Sequence, residues 1–114
     1  MTINENLFIE AVNIPNNGAI TNLPPDAVVE VPALVSASGI HPLCVGELPE
    51  AIADMCNTQI AVQRLAVDAA VTGSRKLALQ AMLLDPVIDN MDSAEKCLDE
   101  LLRVHVRYLP RFFS

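Results

Sequence analysis

The chain has 114 residues, enough for one domain with its own core and too few for two well-formed ones. Hydrophobic residues make up 52%, while 14 acidic groups against 7 basic ones leave a formal charge of −7, a balance that repels phosphate backbones and excludes nucleic acid as an expected partner. No apolar run is long enough to span a membrane, and the opening Met1-Thr2-Ile3-Asn4-Glu5 lacks the basic start and apolar stretch of a secretory signal.

Up to Pro49 the chain is cut by turn formers: Pro15, Gly18, Pro24, Pro25, Pro32, Gly39 and Pro42. Between them lie short apolar runs rich in β-branched residues, which predict strands over residues 7–14, 27–35 and 40–45. Pro32 falls inside the second run and has no N–H to give a ladder, so it predicts a sheet edge or a bulge. Asn16-Asn17-Gly18 and Pro24-Pro25-Asp26 are turn segments for different reasons. Asn and Gly tolerate left-handed angles, and proline presets φ.

Beyond Pro49 the texture is helical. From Glu50 to Thr72 there is neither Pro nor Gly. Ile52, Met55, Cys56, Ile60, Gln63, Val67 and Val71 recur at three- and four-residue steps, which predicts one buried face. Gly73 is a natural stop, and the Ser74 hydroxyl suits the cap of a second helix over residues 75–84, ended by Asp85-Pro86. Asp92 followed by Glu95 predicts a capping box for a third helix, with Asp92 in the cap. Its expected apolar face runs Ala94, Cys97, Leu98, Leu101, Leu102, His105 and Leu109, and Pro110 closes it. Strand runs followed by helix runs predict an α+β domain.

The residues alone show little self-contained chemistry. There is no GxSxG elbow, HExxH pair, P-loop or GxGxxG turn. Cys44, Cys56 and Cys97 are widely and irregularly spaced, which suits reduced thiols of a cytoplasmic protein used as small buried packing groups rather than a zinc or disulfide framework. Glu47, Glu50 and Asp54 read as a solvated helix start, not as a catalytic pair, which would flank a substrate from separate elements. His105 reads as a partly buried structural residue. His41 lies in the turn-rich half, where binding groups concentrate. The run Asn13-Ile14-Pro15-Asn16-Asn17-Gly18-Ala19-Ile20 groups amides that offer both donors and acceptors. Such a run fits either a rim for hydroxylated ligands or a set of turn-forming asparagines.

That run, continued by Asn22-Leu23-Pro24-Pro25-Asp26-Ala27-Val28-Val29-Glu30-Val31-Pro32, closely resembles the C-terminal domain of family 4 glycoside hydrolases. So do Gly39-Ile40-His41-Pro42-Leu43, Val45-Gly46-Glu47-Leu48-Pro49, the helix text from Asn57 to Gly73, and Ala78-Leu79-Gln80-Ala81 through Leu84-Asp85-Pro86. Several specific blocks in the right order, from about Asn13 to Pro110, carry the resemblance.

What the resemblance implies is a C-terminal domain of the kind found in lactate and malate dehydrogenase-type proteins, with short strands packed with three helices. The complete enzymes of this family use NAD and a divalent metal, typically manganese. NAD transiently oxidises the sugar, a tyrosine base and the metal assist elimination, and water then adds. The family's dinucleotide fingerprint, metal-binding Cys and His, and tyrosine base all precede the region seen here. No residue of this chain is therefore expected to be catalytic or to bind metal. Cys44, His41 and Tyr108 are not assigned those roles, and no cofactor is expected on this chain alone. The expected partners are an N-terminal NAD-binding domain or sister subunit, a glycoside and further copies of the chain. Asn13, Asn16, Asn17, Gly18 and His41 are the substrate-proximal candidates, with the segment 13–18 expected at the mouth of the sugar site and outside the core. The alternative is a non-catalytic interaction or oligomerisation module derived from such an enzyme. The sugar, its anomer and its phosphorylation stay open.

Overall fold

The computed structural model describes residues 6–114, so the N-terminal stretch read for a secretory signal lies outside the described residues. In chain order the elements are β1 (Leu7–Pro15), β2 (Val28–Ser36), β3 (Gly39–Pro42), α1 (Glu50–Thr72), α2 (Arg75–Leu84) and α3 (Met91–Val104). Two short 3-10 turns follow, Val106–Tyr108 and Pro110–Phe112. Strands precede helices, as an α+β chain requires. The chain divides into two compact units, the first ending at Asn57 and the second running from Thr58 to Ser114.

The first unit is built on an antiparallel sheet of order β1-β2-β3. Alternation along β2 puts Val29, Val31 and Ala33 on the buried side, joined by Ala19, Ile20, Leu23, Ala27 and Ala53. Pro32 sits on the central strand, not at an edge. The bulge reading holds: the β1–β2 register slips between Ile9 and Val12, so Glu10 and Ala11 together oppose Pro32. On the other side the Pro32 carbonyl accepts from the Leu43 N–H at 2.9 Å. Having no N–H, Pro32 cannot return that bond, and the β2–β3 pairing ends at Ala33 and Pro42. The third strand is therefore shorter than the run 40–45 predicted. Residues 43–46 turn to bond another loop instead.

In the second unit α2 starts as expected, with Ser74 Oγ accepting from the Leu77 N–H at 3.2 Å. The third helix starts earlier than expected. Its cap is Asn90, whose Oδ1 accepts from the Ser93 N–H at 2.8 Å, and Asp92 instead lies in the first turn, where its charge suits the helix dipole. The helix stops at Val104, before Pro110. Its buried stripe is narrow, Ala94, Leu98 and Leu102 at four-residue steps, while Cys97, Leu101 and His105 are exposed. The buried-face expectation for α1 also fails. Met55 is 68% exposed, Val67 61% and Val71 58%, whereas the buried positions are Ala53 and Ala69. Ala53 and Ala69 stand sixteen residues apart, about 160° around a regular helix, so burial of α1 is confined to two small residues on different sides and no single long face is covered.

Gly73 and Arg111 close the end of α1 together. Gly73 takes φ +71, and a Cβ there would overlap the Arg111 carbonyl. The Arg111 Nη1 donates to the Val71 carbonyl at 2.6 Å, placing a cation on a helix C-terminus. Arg75 and Asp99 pair across α2 and α3. An apolar hollow of about 460 Å³ lies among Ala66, Ala69, Ala70, Ala78, Ala81, Leu98, Leu102 and Phe112. Among the described residues no helix is long and apolar enough to cross a membrane.

Candidate functional site

The loop between β1 and β2 is organised by one asparagine. Asn16 is only 1% exposed, and its amide is engaged on every side. Its Nδ2 donates to the carbonyls of Ile20, Leu23 and Pro24 at 2.9, 3.0 and 3.1 Å. Its Oδ1 accepts from the Ile20 N–H at 2.7 Å. A buried amide must find such partners or cost stability. These bonds leave the Asn16 side chain with nothing to offer a ligand. Its placement on a sugar-binding rim, outside the core, is corrected accordingly: Asn16 is an internal brace.

Around that brace the chain turns sharply. The Asn16 carbonyl accepts from the Ala19 N–H at 2.8 Å, while Asn17 and Gly18 take φ +44 and +90. Two successive left-handed residues inside a closed four-residue turn are the type I′ arrangement for which Asn-Gly is favoured. Asn17 and Gly18 are exposed, as is Asn13 on β1.

The loop is then fastened to the segment after β3. Val45 N–H donates to the Ala19 carbonyl at 2.8 Å, and Thr21 N–H to the Gly46 carbonyl at 3.0 Å, forming a parallel bridge between Ile20 and Gly46. Asn22 completes the join: its Nδ2 donates to the Leu48 carbonyl at 2.8 Å and its Oδ1 accepts from the Leu48 N–H at 2.9 Å. This second brace was not singled out from sequence. Its partner lies twenty-six residues away, beyond any local spacing rule.

Beside the join is an open hollow of about 660 Å³, bordered by Asn22, Glu47, Leu48, Pro49, Glu50, Ala53, Asp54 and Asn57. Its acids come from the start of α1 and the residues before it, so the helix dipole accommodates them.

His41 is not brought to the Asn13–Gly18 loop. Its Nε2 lies 2.8 Å from Ser38 Oγ, which lies 2.7 Å from Ser36 Oγ, at the tip of the β2–β3 hairpin. His41 pairs with Leu34 and Asn13 with Glu30. Four residues of β2 separate those positions, about 13 Å along the strand. The substrate-proximal candidates thus fall into two groups, the exposed Asn13, Asn17 and Gly18, and His41 at the hairpin tip.

Among the described residues no group of three His, Cys, Asp or Glu side chains is placed to hold a metal ion. Cys44 and Cys97 are exposed and Cys56 half-buried, so the expectation of three buried packing groups is not met for the first and last. Cys44 sits on the loop segment that follows β3, and Cys97 projects from the outer side of a helix with a narrow buried stripe.

The sequence profile of the family 4 glycosyl hydrolase C-terminal domain matches residues 2–88. A probable 6-phospho-beta-glucosidase of Bacillus subtilis (strain 168) is 39% identical over 111 residues, 97% of this chain and 25% of that protein. An alpha-galactosidase of Rhizobium meliloti (strain 1021) is 39% identical over 103 residues, 88% of this chain and 21% of its own length. A 6-phospho-alpha-glucosidase from gut microorganisms, solved with NAD and glucose-6-phosphate, superposes with a TM-score of 0.86 at 36% identity. That superposition covers 94% of this chain and 24% of the other. The 6-phospho-beta glucosidase of Thermotoga maritima, solved with manganese, NAD+ and glucose-6-phosphate, gives 0.84 at 32% identity, over 93% and 26%. The chain spans about a quarter of the length of these relatives. With profile, sequence and fold agreeing over most of its length, the chain belongs to the family 4 glycosyl hydrolases, whose C-terminal domain it matches.

Proposed function

We propose that these residues form the substrate-side portion of a glycosidase that cleaves O-glycosidic bonds by NAD-dependent oxidation and elimination, working with a dinucleotide-binding portion in the same polypeptide or a sister subunit. The observation that carries this reading is the superposition, at a TM-score of 0.86, on a 6-phospho-alpha-glucosidase holding NAD and glucose-6-phosphate. In the complete enzyme NAD supplies the hydride chemistry, and the manganese seen in a relative acts as a Lewis acid. The described residues fit neither group, having no metal-holding cluster and no glycine-rich phosphate turn. Their work in the reaction is placement: Asn16 and Asn22 hold the loops in shape, and Asn13, Asn17 and His41 present polar groups on this unit's surface. The substrate is a glycoside. Relatives acting on α- and β-linked, phosphorylated and unphosphorylated sugars are all similar to this chain, so neither anomer nor phosphate is assigned. The compartment is the cytoplasm, where three free cysteines stay reduced.

The test is reconstitution. The purified chain with NAD, manganese, a reductant and nitrophenyl glycosides, with and without a 6-phosphate, gives no turnover. Added dinucleotide-binding portion of the same enzyme restores it. Turnover by the chain alone, free of full-length enzyme, overturns the reading. The exposure of Val67 and Val71 on α1 favours a second reading, an interaction or oligomerisation module. Coding sequence for the dinucleotide-binding portion in the same transcript dismisses that one.

A further inference from the structure

We propose that Asn17 is a site of spontaneous deamidation, and that the loop ages at this one position into aspartate and isoaspartate. The inference is independent of the functional reading, because it rests on the chemistry of the turn itself. An asparagine becomes labile when the next main-chain nitrogen can reach its side-chain carbonyl carbon. Glycine in the following position removes the Cβ that would hinder the approach. Asn17-Gly18 is the one Asn-Gly pair in the chain.

The structure leaves both reacting groups available. Asn17 and Gly18 are exposed. Among the described residues neither the Asn17 side-chain amide nor the Gly18 main-chain N–H has a hydrogen-bond partner. The space at the Gly18 α-carbon is open, with no atom within 4 Å of where a Cβ would stand. Among the described residues Asn17 is also the non-glycine residue at positive φ, a conformation that asparagine tolerates.

Neighbouring asparagines lack these conditions. The nitrogen that would attack Asn16 is that of Asn17, whose N–H is committed to the Pro25 carbonyl at 2.9 Å. The Asn16 amide is buried and fully bonded. Asn22 is bonded at both ends to Leu48, and Asn90 caps α3.

The step balances without an oxidant or reductant. Solvent base removes the Gly18 N–H proton and the nitrogen attacks Cγ of Asn17, forming the N–Cγ bond. The Cγ–Nδ2 bond then breaks and Nδ2 leaves as ammonia, taking up a proton from solvent. Water opens the resulting cyclic imide at either carbonyl. One opening gives aspartate, and the other gives isoaspartate, which adds a methylene to the main chain. That methylene falls inside the turn closed by the Asn16 carbonyl and Ala19 N–H, and the new carboxylate adds to a charge already at −7.

The experiment uses the folded 114-residue chain held in mildly alkaline buffer, sampled over days by peptide mapping with fragmentation that distinguishes isoaspartate. The expected result is replacement of an amide NH2 by OH at Asn17, with isoaspartate present, faster than in mildly acidic buffer, and with Asn16 unchanged. An N17Q variant loses the acidic shift on isoelectric focusing, because its longer side chain closes a ring poorly. An intact Asn17 in the folded chain, over a time in which the urea-unfolded chain converts, overturns the proposal. Conversion occurring first at another asparagine, or an acidic shift that persists in N17Q, overturns it as well.

Discussion

Replacing Asn16 by Ala should strip stability from the first unit, and the structure gives the scale. Four bonds of 2.7–3.1 Å are lost. Two of the stranded carbonyls keep another donor: Ile20 retains the Leu23 N–H at 3.4 Å and Pro24 retains the Ala27 N–H at 3.2 Å. The Ile20 N–H and the Leu23 carbonyl keep none among the described residues. Two orphaned buried groups at about 1–3 kcal/mol each, reduced by whatever water enters the vacated space, give a loss of about 3 kcal/mol. For a chain of this size that corresponds to a fall in Tm of about 12 °C. Urea denaturation followed by circular dichroism should show a lower midpoint with an unchanged slope. A shift below about 1 kcal/mol would refute the brace and return Asn16 to the surface role its neighbours suggested. Asn16→Asp sharpens the test through pH. Its carboxylate would face three carbonyl oxygens, raising its folded pKa above the unfolded value of about 3.9. The native state then prefers the protonated acid, so this variant should be most stable below that unfolded value and lose stability as pH rises through the folded one.

Asn22→Ala should cost about 1–2 kcal/mol by urea titration, since the Leu48 N–H and carbonyl it serves are only partly buried and water can replace it. Gly73→Ala should cost more than about 2 kcal/mol, because it combines a left-handed φ with overlap on the Arg111 carbonyl. Arg111→Ala should cost about 1 kcal/mol alone and much less in the Gly73→Ala background, where the same contact is already broken; full additivity in that double-mutant cycle would show the two residues to be uncoupled. Val67→Lys should reduce self-association of the chain measured by light scattering, since Val67 is exposed apolar surface on α1. An unchanged association constant would place the contact elsewhere.

The limits of all three long helices' neighbourhoods were uneven in their legibility. Glu50–Thr72 and Arg75–Leu84 are readable because Pro49, Gly73, Ser74 and Asp85-Pro86 punctuate them chemically. The start of α3 is less so, since Asn90 and Asp92 are both competent caps and only backbone conformation decides between them. The apolar period of α1 predicts a continuous buried face that the structure does not have, because period reports which residues share a face and not whether anything covers it. Large residues suggest the covered side, yet the buried residues of α1 are Ala53 in the first unit and Ala69 in the second. Pro32 was read correctly as a bulge and wrongly as an edge, because the missing N–H acts on the pairing whichever strand carries it.

Asparagine poses the harder problem at the candidate site. Its amide is equally fit to hold a sugar hydroxyl or a main-chain carbonyl, so residue type leaves the direction of its bonds undecided. Burial decides it, and burial here depends on contacts distant in sequence: Ile20 against Gly46 and Asn22 against Leu48. Once those joins form, Asn16 is enclosed and its capacity is directed inward. The same enclosure leaves the next residue, Asn17, exposed at a positive φ. Two adjacent, chemically identical side chains therefore receive opposite roles from one turn. A resemblance carried by a block such as Asn16-Asn17-Gly18 can reflect a folding demand at its first residue, so likeness across the block is no evidence that every residue in it meets the ligand.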